Sequence, residues 1–214
     1  KKTWAQKDGN CEVLFYTSGK KTDRINDELI VNAGSSTSEI GFKNFEAFKW
    51  VLHNLEFDYL FRTNTSSYIN IEVLQKYISH LSHNEDNYLY SGIPINLIKS
   101  TTNEEIKFVS GAGILFNRNT LELLVREEDF FDHAEWEDVG IGKLLNKSGI
   151  YPTKGIREDI KGNIFKERVK LNAYHYRCRV DNHYGYPRFL ETLVMKELDY
   201  RIKNQEGERR KIFY

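Results

Sequence analysis

Segments with the character of strands and of helices alternate along the first half of the chain, and this alternation constrains the fold more than any other feature of the sequence. Short apolar runs at residues 12–17 and 28–34 have the length and composition of buried strands. Apolar residues from Phe42 to Leu55 then recur at helical spacing. A third strand is predicted at residues 58–63 and a second amphipathic helix at residues 71–82. The alternation predicts an α/β fold with a mostly parallel central sheet and helices on both faces.

The second half of the chain continues with both kinds of segment. Strands are predicted at residues 87–92 and 106–117. Helices are predicted after the capping residues 117–120, at residues 137–145 and at residues 188–202. Because no repeat, low-complexity segment or obvious linker interrupts the chain, we expect its 214 residues to form a single domain.

Composition excludes several classes of protein. Lys and Arg together equal Asp and Glu together at 31 each, so no global basic field is present to attract nucleic acid. No segment of the chain approaches the length of about 18 consecutive apolar residues that a membrane-spanning helix requires. The two cysteines, Cys11 and Cys178, lie far apart and form no CxxC pair, so we expect free thiols. Free thiols favour a reducing compartment such as the cytoplasm.

A cluster of polar residues follows the strand predicted at residues 58–63. In α/β folds, ligands collect at the carboxyl ends of strands. Arg62, Asn64, Thr65 and Ser66 are therefore candidates for binding phosphate oxygens or sugar hydroxyls. Two structural alternatives stand beside this interpretation. Arg62 can simply end a strand, and Ser66 or Ser67 can cap the helix predicted at residues 71–82.

Three carboxylates surround Trp136 where the helix predicted at residues 137–145 begins. They belong to Glu135, Glu137 and Asp138. Acidic residues in the first turn of a helix are favoured by the helix dipole, and this explains most such runs. A carboxylate beside an aromatic residue at the edge of a cleft can also act as a general base that accepts a hydroxyl proton.

Two further groups of residues have the right chemistry for ligand binding. In an alternating strand, His175 and Arg177 would point to the same face, where imidazole can ligate a metal and guanidinium can bind diphosphate. A single histidine is more often structural. Gly111, Ala112 and Gly113 interrupt the strand predicted at residues 106–117, and such small residues allow close approach of a ligand or of another strand.

The order of these segments resembles a known family. The start KKTW, a helix carrying Lys43, Ala47 and Trp50, and then DYLFRTNTSSYIN, SGAGILFNR, EDVGIGKLL and HYR follow one another over residues 1 to about 179. This series is similar to the fringe-like β-1,3-glycosyltransferases of the GT-A fold and to their bacterial and large-virus relatives. Its most specific elements are SGAG and EDVGIG at their observed separation. The resemblance implies a UDP-sugar donor, Mn²⁺ bridging the diphosphate, and inversion at the anomeric carbon.

Transferred position by position, the resemblance implies a role for each candidate residue. Asp138 matches the catalytic carboxylate, and Glu137 precedes it as in the family's acidic pair. Residues 111–113 match the segment along the sugar site, and His175 matches the histidine that completes the metal shell. The expected nucleotide-sugar site comprises Arg62, Asn64, Thr65, Ser66, Gly111, Ala112, Gly113 and Arg177. The expected metal ligands are His175, Asn64 and Ser66.

The chain departs from the family pattern at two places. Asn64, Thr65 and Ser66 stand where the family has an acidic DxD motif. The change removes the strongest ligands for a hard cation, so affinity for Mn²⁺ is expected to fall. The family also places a first strand before the KKTW segment. That strand either lies upstream of the sequence or is missing, which would leave the domain incomplete for catalysis.

These observations lead to one main prediction and two alternatives. We expect a GT-A glycosyltransferase domain over residues 1–214, with a nucleotide-sugar-binding half at 1–110 and an acceptor and catalytic half at 111–214. The basic tail leaves room for a longer polypeptide. The first alternative is a non-catalytic module that binds a glycan or nucleotide on the same fold. The second, a nucleotidyltransferase, would require a Gly-rich basic loop near the first strand, and none is visible.

Overall fold

The computed structural model of the chain describes residues 3–5, 11–81, 87–99, 103–160, 168–179 and 190–204. Its main elements, in chain order, are β1 (Phe15–Gly19), β2 (Asp23–Ile25), β3 (Glu28–Asn32), α1 (Ile40–Asn54), β4 (Tyr59–Thr63), β5 (Ser67–Ile69), α2 (Ile71–Leu81), β6 (Tyr90–Ile98), β7 (Glu105–Asn117), α3 (Arg118–Arg126), α4 (Glu137–Lys147), β8 (Thr153–Lys154), β9 (Arg157–Asp159), β10 (His175–Arg177) and α5 (Glu191–Lys203). The fold is therefore mixed α/β, as the alternation of segments predicted.

The chain divides into two compact units that interleave along the sequence. Unit 1 comprises Lys1–Cys11, Thr63–Glu85 and Ile156–Tyr214, and unit 2 comprises Glu12–Arg62 and Asp86–Gly155. The expected division at residue 110 falls inside β7, so the halves 1–110 and 111–214 do not coincide with these units.

Unit 2 contains two small sheets. In the first, β1 and β3 are parallel and β2 is antiparallel to β3. The second has the strand order β4-β7-β6-β8, in which β6 and β7 are antiparallel and β6 and β8 are parallel. β7 runs from Glu105 to Asn117, but its pairing with β6 shifts register, since Gly92 pairs with Ile114 and Pro94 pairs with Val109. The interruption predicted at residues 111–113 is therefore present as an irregularity in the pairing and not as a break in the strand.

Helices α1, α3 and α4 build the main core of unit 2 together with β7. Phe45 of α1, Phe116 of β7, Leu121 of α3 and Ile141 of α4 all belong to one buried cluster. Asn117 caps α3, because its side-chain oxygen accepts a hydrogen bond from the Thr120 N–H at 3.0 Å. The capping prediction at residues 117–120 is confirmed.

Unit 1 is organised around a sheet with the order β5-β10-β9. β10 is antiparallel to β5 and parallel to β9. Tyr68 of β5 and Tyr176 of β10 share a buried cluster with Val194 and Leu198 of α5. The helix predicted at residues 188–202 is α5, although residues 188 and 189 lie outside the described part of the chain. Most of the basic tail, residues 205–214, also lies outside it.

A single, mostly parallel central sheet is not confirmed, because the strands form three small mixed sheets. The physical reason is visible in the connections. Only residues 99–104 separate β6 from β7, which suffices for an antiparallel hairpin but not for the crossover that parallel strands need.

Two expectations from composition can be compared with the fold. Cys11 and Cys178 are both free thiols, as predicted. Burial raises the pKa of Cys178 to about 12, so this thiol stays protonated. Among the described helices, none is both long and apolar enough to cross a membrane.

Candidate functional site

Asp138 lies in the first turn of α4 and faces β7. Its Oδ2 atom accepts a hydrogen bond from the Gly111 N–H at 2.8 Å, and its Oδ1 atom accepts one from the Val139 N–H at 3.0 Å. The side chain is partly exposed. Each carboxylate oxygen can accept more than one hydrogen bond, so both oxygens retain acceptor capacity for a hydroxyl group. Asp138 is thus a carboxylate whose orientation is set by backbone groups.

Glu137, the neighbouring residue, is held in the interior of unit 2. Its Oε1 atom accepts a hydrogen bond from Asn44 Nδ2 at 2.5 Å, and its Oε2 atom lies 3.1 Å from Arg62 Nη2. Burial raises the pKa of Glu137 above its usual range, whereas the Arg62 charge opposes that shift. Both carboxylate oxygens of Glu137 are bonded to neighbouring side chains, so the contacts of Glu137 are those of a structural residue.

Arg62 connects β4 to three different elements of unit 2. Its Nη1 donates to the Gly111 carbonyl, its Nε donates to the Tyr16 hydroxyl at 3.3 Å, and its Nη2 donates to Glu137. Burial by itself lowers the pKa of Arg62, but Glu137, Tyr16 and Asp138 together outweigh burial and the pKa is raised. The guanidinium is therefore always charged.

Arg62 is one member of a closed ring of hydrogen bonds. The Tyr16 hydroxyl donates to Asn44 Oδ1 at 2.6 Å, and Asn44 in turn donates to Glu137. We call Arg62, Tyr16, Asn44 and Glu137 the Arg62 network. Sequence reasoning missed Tyr16 and Asn44. The available signal was Asn44 itself, a polar residue within the apolar stripe of α1 that is only 1% exposed.

Gly111 is held on both sides by this arrangement, since its carbonyl accepts from Arg62 and its N–H donates to Asp138. A Cβ atom at this position would lie 3.1 Å from Asp138 Oδ2 and 3.3 Å from Asp138 Cβ and Cγ. The small residue therefore allows close approach of a helix side chain. Ala112 and Gly113 are buried within β7.

Polar residues of unit 1 form a second cluster. Asn64 Oδ1 accepts hydrogen bonds from the Ser66 N–H at 3.1 Å and from Ser67 Oγ at 2.9 Å. Ser67 Oγ also lies 2.9 Å from His175 Nε2, and Ser66 Oγ donates to Glu191 Oε2 at 2.8 Å. Ser66 and Ser67 are 3% and 1% exposed, so most of this cluster is interior. It explains why small polar residues follow β4, because they join the turn to β10 and α5.

Thr65 and the start of α2 complete the picture of this turn. Thr65 is exposed at the turn. The alternative in which Ser66 or Ser67 caps the following helix is wrong, because Asn70 takes that place. Asn70 Oδ1 accepts a hydrogen bond from the Val73 N–H at 3.3 Å.

His175 is a neutral, buried imidazole. Burial, and then the positive charges of Arg157 and Arg177, lower its pKa to about 3. Arg157 is itself held by Asp159, with 2.7 Å between Arg157 Nε and Asp159 Oδ1. Within the described residues, the Nε atom of Arg177 is buried without a hydrogen-bond partner. Two arginines therefore place positive charge around His175.

The three predicted metal ligands have other partners. Asn64 Oδ1 and His175 Nε2 both bond to Ser67, and Ser66 Oγ bonds to Glu191. Over the ranges that the structure describes, no group of three or more His, Cys, Asp or Glu side chains is placed to hold a metal ion. In this arrangement the donors do not fit a Mn²⁺ site, and Mn²⁺ use stays a prediction.

The sequence-predicted residues thus fall into two groups. Unit 2 brings together Arg62, Gly111, Glu137 and Asp138, and unit 1 brings together Asn64, Ser66 and His175, with Arg177 near enough to lower the pKa of His175.

Comparison with known proteins does not assign the chain to a family. A scan against protein-family models and a search of curated proteins each returned no match. The geometry of the two groups is therefore the basis for any functional interpretation.

Proposed function

We propose that the chain is a glycosyltransferase domain of the GT-A type. It transfers a sugar from a nucleoside-diphosphate-sugar, specifically a UDP-sugar, to a glycan hydroxyl with inversion. The observation that carries the proposal is Asp138. This carboxylate is partly exposed, is oriented by two backbone N–H groups, and lies next to a network in which Arg62 is paired with Glu137.

The chemistry assigned to Asp138 is that of a general base. As the acceptor oxygen attacks the anomeric carbon, Asp138 takes the hydroxyl proton. A new bond forms between the acceptor oxygen and the anomeric carbon, and the bond from that carbon to the diphosphate oxygen breaks. The electron pair leaves with the nucleoside diphosphate. A positioned base of this kind contributes about 10²–10⁴-fold to the rate.

The Arg62 network has a supporting role in this proposal. Arg62 donates to the carbonyl of Gly111, whose N–H orients Asp138, so Arg62 acts on the base through one peptide unit. Glu137 neutralises Arg62 in the interior. In this mechanism Glu137 is a positioning residue and Asp138 is the catalytic one.

Four residues of unit 1 are predicted to bind the donor, and their role remains a prediction. Asn64, Thr65, Ser66 and Arg177 carry the right chemistry for phosphate or sugar oxygens. Of these, Arg177 has a buried Nε atom that lacks a hydrogen-bond partner among the described residues, and this favours it as an anion-binding group.

One observation favours a second candidate function, a non-catalytic module that binds a glycan or nucleotide. The Asn64, Ser66 and His175 donors are bonded to neighbouring side chains and do not form a metal site. Such a module binds its ligand without releasing nucleotide from a nucleotide-sugar.

Thermal unfolding with a panel of nucleotides and UDP-sugars, in Mn²⁺, Mg²⁺ or EDTA, separates these functions when nucleotide release is measured on the same samples. A ligand at a hundredfold excess over its Kd stabilises the native state by about 2.7 kcal/mol, which is readily detected.

We expect a shift with UDP and release of UDP from one UDP-sugar when an acceptor glycan is present. A shift that requires Mn²⁺ would establish metal use, whereas a shift indifferent to EDTA would show that the protein holds the diphosphate by itself. Binding without UDP release from any sugar and acceptor pair would favour the binding module. No shift with any nucleotide would contradict the glycosyltransferase proposal.

A further inference from the structure

Trp136 is the most exposed of the large hydrophobic side chains that the structure describes. Its side chain is 82% exposed. It immediately precedes Glu137 and Asp138, at the position that caps α4, but it forms no side-chain capping hydrogen bond. Ser, Thr, Asp and Asn are the residues favoured at such a position. Trp136 therefore contributes neither to the core nor to the cap of the helix.

The residues on both sides of Trp136 make side-chain contacts within unit 2. Glu135 Oε2 lies 2.5 Å from Lys99 Nζ, next to the β6–β7 hairpin, and Glu137 is anchored by Asn44 and Arg62. The Trp136 carbonyl also accepts the Gly140 N–H at 2.8 Å. An isolated exposed apolar residue is ordinary on a protein surface. Trp136 is distinguished by its position, because it lies two residues before the proposed base and the side chains of both of its neighbours are bonded within unit 2.

We propose that Trp136 is a stacking platform for a sugar ring of the acceptor glycan. The inference rests on the proposed function, and it adds the class of acceptor that the site takes. An indole face packs against the C–H face of a pyranose ring, while the ring hydroxyls remain free to bind polar groups. Trp136 lies two residues before Asp138, and in this proposal a ring stacked on the indole directs one hydroxyl to the Asp138 carboxylate. The acceptor is thus a pyranoside with a continuous apolar face, such as a β-galactoside or β-glucoside.

Indole fluorescence reports on this contact without any turnover. The chain has three tryptophans, and Trp4 and Trp50 are partly buried, so acrylamide quenches mainly Trp136. We expect methyl β-galactoside or methyl β-glucoside to protect the wild-type protein from quenching. The Trp136→Ala variant should show no sugar-dependent protection, and Trp136→Phe should retain sugar binding by isothermal calorimetry. If no glycoside protects the wild-type protein, although UDP binds, the inference falls and the proposed function stands.

Kinetics with a competent donor and acceptor supply the second measurement. We expect Trp136→Ala to raise the acceptor KM about tenfold, because aromatic stacking is worth roughly a factor of that size, with a much smaller change in the donor KM. Phe130→Ala is the matched control, since Phe130 is also a large aromatic that is 69% exposed in unit 2. An acceptor KM that is equal in the Trp136→Ala and Phe130→Ala variants would overturn the inference.

The two proposals fail in different ways. If glycosides protect Trp136 but UDP neither binds nor is released, the glycosyltransferase proposal fails and the sugar platform stands as part of a binding module. If UDP-sugar turnover is measured and the platform variants are unaffected, only the platform fails.

Discussion

Gly111 is the residue through which Arg62 and Asp138 are connected, and its lack of a side chain leaves room for the Asp138 carboxylate. A methyl group at this position would lie 3.1 Å from Asp138 Oδ2, closer than about nine in ten real Cβ contacts, so the Asp138 side chain would have to move by a few tenths of an ångström. We expect Gly111→Ala to displace the carboxylate and to lower the rate of transfer by about 100-fold, a size typical of small misplacements of a catalytic group. Single-turnover kinetics at saturating donor and acceptor measure this effect. Wild-type rates in a variant of normal thermal stability would contradict the role of Gly111.

Substitution of Asp138 should lower the rate of transfer, whereas substitution of its neighbour Glu137 should lower the stability of the fold. Asp138→Asn should lower the transfer rate by about 10²–10⁴-fold with little effect on UDP binding, since it removes only the proton acceptor. Glu137→Gln leaves Arg62 buried without its counter-charge, and breaking a buried pair in this way costs about 3–5 kcal/mol of unfolding free energy. Nucleotide release assays and urea unfolding on both variants check the contrast. A wild-type transfer rate in the Asp138→Asn variant would contradict the assignment of Asp138 as the general base.

The sequence predicted some members of the site and missed others for a physical reason. Short local patterns identify Glu137, Asp138 and Gly111, because the first two belong to an acidic helix start and the third to a run of small residues. Tyr16 and Asn44 belong to β1 and α1, and only the folded chain brings Tyr16 to Arg62 and Asn44 to Glu137. Hydrogen bonds between residues so distant in sequence leave no periodic signal.

At the scale of elements, α4 packs against β7 through a second glycine. A Cβ atom at Gly142 would lie 2.3 Å from Phe108 Cβ and 2.9 Å from the Lys107 carbonyl oxygen. Because backbone atoms cannot move aside as a flexible side chain can, we expect Gly142→Ala to destabilise the protein by about 1–3 kcal/mol or more. Lys147→Ala is the control, since Lys147 is exposed on the same helix and its loss should change stability by less than about 0.5 kcal/mol. Equal urea midpoints for the two variants would contradict this packing.

Elements were predicted with uneven success. Helices α1, α2 and α4 were predicted from apolar residues in the sequence, and α3 from the capping residues that mark its start. Strand direction carries no such local signal. The antiparallel pairing of β6 with β7 and of β5 with β10 is decided by connections and partners elsewhere in the chain, so the expectation of a mostly parallel sheet is not confirmed.

For the molecule as a whole, His175 should make stability depend on pH. Its pKa is about 3 in the folded protein and 6.5 in the unfolded chain, because burial and the charges of Arg157 and Arg177 oppose protonation. Between these values the unfolded state binds the proton and the folded state does not. The unfolding free energy should therefore fall as pH drops below 6.5, by at most about 1.4 kcal/mol per pH unit from this one group.

Urea unfolding at pH 7, 6 and 5 measures that dependence. Carboxylates add their own dependence at low pH, so the informative quantity is the difference in slope between the wild-type protein and His175→Gln. We expect a shallower slope in His175→Gln and an unchanged slope in His53→Gln, whose histidine is exposed on α1. Identical slopes in all three proteins would mean that the pKa of His175 is the same in the folded and unfolded states, which would contradict this prediction.

The interleaving of the two units has a consequence for how the protein is made. All residues of unit 2 have been synthesised once Gly155 has been added, whereas β5 of unit 1 pairs with β10, and Ser67 meets His175 108 positions later. During translation, Tyr68 and the apolar side of α2 therefore lack these partners while the second segment of unit 2, Asp86–Gly155, is produced. A nascent chain at this stage carries a completed unit beside an unsatisfied apolar segment, which makes the second half of translation the period in which it most needs a chaperone.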